Sequence, residues 1–595
     1  MKPFWKTAFA AALGVVIATL VCTVLSVIVV TGLVSGSSQP VELSPGTVLR
    51  INLNGTITEY ATDPIDGMLG GFLAGDESEI PLNISLQELL QAIEIAGEQP
   101  EIAGIYLEAG NFSCGMASTG ELRRALERFK ATGKFVYSYA DELMPQNCYW
   151  LCSVSDSVFL NPYGMLDLHG MASPVLFYTR LFKKVGVEPR IFKVGTFKSA
   201  VEPYTNTSMS EANREQVTAF LSDIWECIVQ DICASRPLSP ERLNQLADQY
   251  IALSEAPDYV SEGLADSLLY QPQMMDFLAR RVGCRTKDLS FAWPQDVLAL
   301  PLPADDFRAD KIAVLYAAGE IYSSTPQNPS QTEYITHQSL VRELQRLRDD
   351  SHVKAVVLRV NSPGGSAFAS EQICQAVREL KAAKPVVVSM GDYAASGGYY
   401  ISCLADCIMA SPATLTGSIG VFGITFSAQE LADRLGVDYD VVCTNQKSDF
   451  GTVLRKMTPA EQQLMQRSVN NTYDLFVNRC SEGRDLPPAD IRRVAEGRVW
   501  TGSQGIEAGL VDTLGYLDDA IAKAAQLAGS DHWRVVNFPA RKDFFTQLLE
   551  WLEGTSDAYV KSRLGGPEAE SAKLLRYLSD HSGVRAVMPF VPDIQ

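Results

Sequence analysis

Three patterns of apolar and polar positions divide this chain. Residues 8–34 form an apolar run without a single charge, preceded by Lys2 and Lys6. From about residue 46 to 535, β-branched runs alternate with segments whose apolar positions recur every three or four residues, as in 340–347 and 371–380. Buried strands joined by amphipathic helices produce that alternation, which predicts an α/β protein with parallel sheets. Beyond residue 535 the alternation stops, and 544–552 and 572–578 read as short amphipathic helices.

The middle region contains one pattern twice. Gly55-Thr56-Ile57 answers Gly319-Glu320-Ile321, and Ser85-Leu86 answers Ser339-Leu340. The run from Ile102 to Leu107 answers the run from Lys354 to Leu358, and Lys134-Phe135-Val136 answers Lys384-Pro385-Val386. Gly263-Leu264-Ala265-Asp266 answers Gly509-Leu510-Val511-Asp512. The offsets shrink in order along the chain, as small loop insertions produce, and a repeat this long is a duplicated domain. The expected organisation is an anchor over 1–38, a first copy over 46–298, a second over 310–535 and an extension over 536–595.

The run 8–34 would be about 40 Å long as a helix, against a hydrocarbon core of about 30 Å. That length exceeds the apolar region of a secretory signal, although Ser35-Gly36-Ser37-Ser38 resembles a cleavage site. Lysines before the run, with no basic cluster just after it, place the N-terminus in the cytoplasm. The expectation is a single-pass protein of the cytoplasmic (inner) membrane with an extracytoplasmic, periplasmic body.

Composition refines this picture little. The 595 residues are 46% hydrophobic and 20% charged, as in ordinary globular proteins. A formal net charge of −20 argues against nucleic acid as a partner. The twelve cysteines lack metal-type spacing. Cys148 with Cys152, and Cys403 with Cys407, lie in apolar surroundings and are expected to pack as small hydrophobes.

Chemistry concentrates in the second copy. The strand-like run from Pro385 ends in Ala394-Ala395-Ser396-Gly397-Gly398, with a helix expected over 399–404. Upstream, Asn361-Ser362-Pro363-Gly364-Gly365-Ser366 closes another apolar strand. Two glycine turns, one bearing a hydroxyl, suit acyl chemistry at a serine, because glycine lets backbone N–H groups approach a developing oxyanion. In the first copy Gln146 aligns with Ser396, and Asn111-Phe112-Ser113 aligns with Pro363-Gly364-Gly365, so that copy has lost both features. None of His169, His337, His352, His532 and His581 lies in a triad-like setting. A desolvated lysine is the alternative base. Lys198, in Gly195-Thr196-Phe197-Lys198-Ser199-Ala200, and Lys447, in Asn445-Gln446-Lys447-Ser448, occupy equivalent places a few residues after a strand.

Together with Thr416-Gly417-Ser418-Ile419-Gly420-Val421, these motifs resemble the long form of the signal peptide peptidase A (protease IV) family, from residue 1 to about 530. The resemblance implies tandem Clp/crotonase-like domains of parallel-sheet ββα units after one transmembrane helix. It implies a serine nucleophile at Ser396 with Lys198 as base, and a homotetramer degrading signal peptides and other hydrophobic peptides. The reaction needs neither metal nor cofactor. Gly365 or Gly364, with Gly397, would hold the oxyanion, and Ser418 would orient the amine or simply cap its turn. Single-copy members draw their lysine from the region that here holds Lys447, so Lys447 stays open as a second base, a relic or a substrate contact. The motif match favours Lys198. An acyl-thioester enzyme of crotonase type and a non-catalytic membrane scaffold are the rival readings, to be separated by covalent labelling of Ser396.

Overall fold

The computed structural model describes residues 43–60, 85–301, 308–326, 333–540 and 583–588. The expected membrane run 8–34 and the helices expected at 544–552 and 572–578 lie outside them. Among the described residues, no helix is long and apolar enough to cross a membrane.

Each copy builds one parallel sheet, and the two match strand for strand. In the first, the order is Ser267–Leu268, Ser157–Leu160, Phe135–Ala140, Ile102–Ser113, Thr47–Thr56 and Phe291–Ala292. In the second it is Thr513–Leu514, Cys407–Ala410, Val386–Ala395, Val353–Ser362, Asp310–Ala318 and Trp533–Phe538. The duplication read from the sequence is thus a duplication of topology. A short strand, Leu415–Gly417, pairs with the far end of Val386–Ala395, and Val499–Thr501 pairs antiparallel with it.

Helices cover both faces of the second sheet, which explains its continuous β-branched runs. On one face, Leu340, Leu344 and Leu347 of the helix His337–Asp349 join Ile373, Val377 and Leu380 of Ala367–Lys381 over Val356, Leu358 and Val388. Thr336 and Ser366 cap these two helices by accepting from the N–H groups of Ser339 and Ala369. On the other face, Ala520, Ala524 and Ala525 of Leu517–Ala528 bring that helix close against Ile312, Val314 and Val357.

A third sheet joins the copies. Its order is Tyr334–Thr336, Glu320–Tyr322, Gly364–Ser366, Gly583–Val587, Val421–Ser427 and Glu188–Val194. The last two strands belong to different copies and pair antiparallel, Val421 with Val194 through Ser427 with Glu188. This pairing delivers the chain after Val194, and with it Lys198, to the second copy. The expected strand before Lys447 does not form: residues 437–448 are exposed and carry no strand, because Glu188–Val194 takes the place beside Val421–Ser427.

Candidate active site

Ser396 stands where the central strand Val386–Ala395 turns into the helix Gly397–Ser402. The helix begins two residues earlier than expected. Ser396 has φ 55° and ψ −110°, a backbone setting that side chains other than glycine rarely take. The strain is held by two hydrogen bonds: Ser396 N–H donates to the Gly417 carbonyl at 2.8 Å, and Tyr400 N–H donates to the Ser396 carbonyl at 2.8 Å. Ser396 is fully buried.

The two glycine turns meet beside it. A Cβ on Gly397 would lie 3.0 Å from Gly364 Cα and from Gly365 N, and one on Gly398 would lie 2.5 Å from the Ser362 carbonyl oxygen. Gly364 has φ 103°, in the region that favours glycine. Contact this close needs hydrogen at both positions, so the glycines follow from packing as well as from chemistry. A Cβ on Gly364 would in turn lie 2.7 Å from Gly397 N, so the backbone nitrogens of Gly365 and Gly397 stand close together beside the serine.

Lys198 reaches the serine from the other copy. Its Nζ lies 2.8 Å from Ser396 Oγ, 3.0 Å from Ser418 Oγ and 3.1 Å from the Ser418 carbonyl oxygen. Ser418 Oγ donates in turn to the Gly497 carbonyl at 3.3 Å, leaving its lone pairs to the amine. A neutral amine that donates its two N–H groups to Ser418 directs its lone pair at Ser396 Oγ. Lys198 is fully buried, and that burial pushes its amine well below the ordinary lysine value. Its partners carry no charge, so nothing offsets the desolvation of an ammonium.

Backbone packing fixes this placement. Gly195, at φ 108°, lies so close to Glu496 that a Cβ would fall 2.4 Å from its carbonyl carbon. Phe197 N–H donates to the Glu496 carbonyl at 2.9 Å. Gly497 abuts Lys198, and a Cβ there would lie 2.6 Å from Lys198 Cβ. Gln216 is a further buried residue of the site, absent from the sequence reading. Its amide nitrogen donates to the Phe197 carbonyl and to Ser199 Oγ, and its oxygen accepts from Val499 N–H. The signal was there as two polar residues, Asn213 and Gln216, on the buried face of the helix Glu211–Ser235.

The equivalent position of the first copy is filled. The Gln146 side-chain oxygen accepts from His169 N–H and Gly170 N–H, and its amide donates to the Gly170 carbonyl, all at 2.9 Å. Its three bonds pin the turn that corresponds to Ile419-Gly420 in the second copy. No nucleophile remains there.

Other sequence candidates lie elsewhere. Lys447 is exposed, in a turn closed by the Phe450 N–H bond to its carbonyl, and the structure does not bring it to Ser396. His169 and His352 bond to Asp167 and Asp350, and His337 stacks edge-on against Phe368. His581 lies outside the described residues. Cys148, Cys152, Cys403 and Cys407 are buried in the cores, with no disulfide recorded for them. Among the described residues, no group of His, Cys, Asp and Glu is arranged to hold a metal ion.

The family model described as Peptidase family S49 matches residues 128–284 and 378–531, one stretch in each copy. The chain belongs to this family. It is 34% identical over 549 residues to Protease 4 of Salmonella typhi, covering 91% of this chain and 87% of that protein. It is 29% identical to Serine protease SPPA, chloroplastic, of Arabidopsis thaliana, over 91% of this chain and 77% of that protein. ClpP1 from Listeria monocytogenes superimposes with a TM-score of 0.23 at 14% identity, over 35% of this chain and 94% of that one. The S49 member described here is a serine-type endopeptidase, and its substrates are peptides.

Proposed function

We propose that this S49 peptidase uses Ser396 as nucleophile and Lys198 as general base, and that it degrades cleaved signal peptides and other hydrophobic peptides at the outer side of the cytoplasmic membrane. The 2.8 Å approach of Lys198 Nζ to Ser396 Oγ, inside a buried site without a carboxylate partner, carries the assignment. Ser396 Oγ attacks the peptide carbonyl while the Lys198 amine takes its proton. The N–H groups of Gly365 and Gly397 hold the oxyanion. The resulting ammonium gives the proton to the leaving nitrogen, the C–N bond breaks, and an acyl-serine remains. Water, deprotonated by the same amine, then releases the acyl group. Ser418 keeps the amine aimed throughout.

The wider reading rests on the sequence. The uncharged run 8–34 after Lys2 and Lys6 supports a single-pass anchor with a cytoplasmic N-terminus and a periplasmic body. A relative from Enterococcus faecium named "Putative signal peptide peptidase SppA", 36% identical over 36% of this chain, supports the substrate class. Each copy is taken as a Clp/crotonase-like unit, and four chains as the assembly.

The test compares Ser396→Ala, Lys198→Met and Lys447→Ala on a hydrophobic reporter peptide. The first two should lose essentially all turnover, and the third should match the unmutated chain. Activity retained in Lys198→Met with collapse in Lys447→Ala would overturn the assignment.

A further inference from the structure

Lys198 and the serine that supports it come from different copies, and one side chain bonds to the backbone behind both. Gln216 is buried on the helix Glu211–Ser235 of the first copy. Its amide nitrogen donates to the Phe197 carbonyl at 3.0 Å and to Ser199 Oγ at 2.9 Å, the residues on either side of Lys198. Its amide oxygen accepts from Val499 N–H of the second copy at 3.1 Å. These partners fix which way the carboxamide points, since a carbonyl needs a donor and an N–H an acceptor. Residues 497–499 are the stretch that holds the Ser418 turn. Ser418 N–H donates to the Arg498 carbonyl at 2.6 Å, and Gly497 N–H donates to the Ile419 carbonyl at 2.9 Å. Gln216 therefore brackets the lysine turn and the backing of Ser418 together.

The bracket is backed by further buried polar groups. Ser199 Oγ donates to Asn213 Oδ1 at 2.8 Å, and Gln216 Nε2 lies 3.1 Å from the same oxygen. Asn213 Nδ2 donates to the Glu202 carboxylate at 3.2 Å, which also accepts from Ser210 N–H at 3.1 Å and Ser210 Oγ at 2.6 Å. Ser199, Glu202, Asn213 and Gln216 are all buried. A chain of buried polar groups rigidifies its surroundings when its members are partnered, and removing one member strands the others. The same helix face also docks on the second copy at Glu215, Ala219 and Asp223, which bond to Arg498, Gln504 and Thr501. Of these contacts, that of Gln216 reaches the residues beside Lys198.

We infer that Gln216 is a positioning residue for the Ser396–Lys198 reaction, which rests on the peptidase reading above: it holds the lysine turn of one copy and the Ser418 turn of the other in a fixed register. A lysine stem is flexible, and the oxygens around this amine carry no charge to draw it into line, so its aim depends on where its backbone is held. A misplacement of about 1 Å costs on the order of 100-fold in rate. That loss falls on the proton transfers, which take place after substrate has bound, and so on kcat more than on KM. A slackened turn also lets water reach the amine. The desolvation that disfavours its ammonium form then weakens, and the acid limb of the rate profile moves to higher pH.

Hydrolysis of a hydrophobic reporter peptide by the full-length chain in detergent, followed across pH and expressed per Ser396 labelled by a fluorophosphonate, tests this. Gln216→Leu should lose about 10- to 100-fold in kcat, keep KM within about twofold, and shift the acid limb to higher pH. Ser199→Ala removes one arm of the bracket and should show a smaller loss of the same kind. The double variant should lose less than the product of the two single losses, because both act through one network. Ile228→Val, in the core-facing side of the same helix, should lower the denaturant midpoint while kcat per labelled serine and the acid limb stay as they were. A kcat and acid limb unchanged in Gln216→Leu, a loss carried by KM alone, or the same loss in Ile228→Val would overturn the positioning role. Should Gln216→Leu not fold, Ser199→Ala decides, and unmutated values of kcat and acid limb there would overturn it equally. An unmutated chain that neither hydrolyses the reporter nor labels at Ser396 would instead bring down the dyad reading, and the positioning role with it.

Discussion

A lysine can accept a proton only while its ammonium form is disfavoured, and Lys198 meets that condition through burial alone. This gives the pH profile a sign. A protonated amine cannot take the proton of Ser396, so activity is present above the folded-state pKa of Lys198 and is lost as pH falls through it. Because that pKa is well below the ordinary lysine value of 10.5, the acid limb of kcat/KM should lie well below pH 10.5 and follow the uptake of one proton. His169 bonds to Asp167 and His337 stacks against Phe368, so replacing either with glutamine should leave the limb where it is. Measured pH–rate profiles of these variants decide the point. An acid limb displaced in either histidine variant would contradict the lysine assignment.

At the scale of elements, the copies are clamped by buried charge. Arg359, in the middle of Val353–Ser362, donates to Glu59 at 2.6 Å and to Glu121 at 2.7 Å, both from the first copy. Asp392, four residues before the serine, accepts from Ser118 N–H and Ser118 Oγ at the start of the helix Met116–Ala131, whose own cap residue Gly115 has no side chain to do so. Arg359→Met would leave two carboxylates buried without their cation, at a cost of about 3–5 kcal/mol, read as a lower denaturant midpoint. Glu333 adjoins this cluster, and burial pushes its carboxyl up to about 7 from an ordinary 4.5. Between those values the folded state holds a proton that the unfolded chain has released. The contribution of Glu333 to stability is therefore full below about pH 4.5 and lost as pH rises through about 7. Glu333→Gln should raise the denaturant midpoint at pH 8 and leave it unchanged at pH 4. Strand and helix types, the duplication and the glycine turns were legible from periodicity because local patterns create them. What the sequence could not supply was spatial: the antiparallel pairing of Glu188–Val194 with Val421–Ser427, the Arg359 clamp, Gln216 and the seat of 583–588. Each depends on residues far apart in the chain. The expected strand before Lys447 failed for the same reason, since a β-branched run becomes a strand only where a partner exists.

For the whole molecule, that unmet partner is the informative feature. Ser396 and Gln146 are equivalent and 250 positions apart, so the strand Val421–Ser427 has its first-copy counterpart near 171–177 and Glu188–Val194 has its second-copy counterpart near 438–444. Among the described residues, one of the two possible cross-copy pairings is made. Both leftover segments run without strand partners and are rich in exposed apolar groups: Leu176 and Leu181 around one, Leu435, Val437, Val441 and Val442 around the other, with Val442 98% exposed. Paired apolar surfaces of this kind mark association sites. If 438–444 of one chain pairs with 171–177 of the next, the second contact repeats the geometry of the first, and a head-to-tail series of this kind closes into a ring when its rotation allows. Val442→Asp sets a charge into that contact while lying far in sequence from both dyad residues. The unmutated chain should run as a multiple of 65.0 kDa in light scattering, and Val442→Asp should fall toward a single chain with its fold intact by circular dichroism. An unmutated chain of single-chain mass, or a variant that keeps the full assembly, would rule out this pairing as the basis of association.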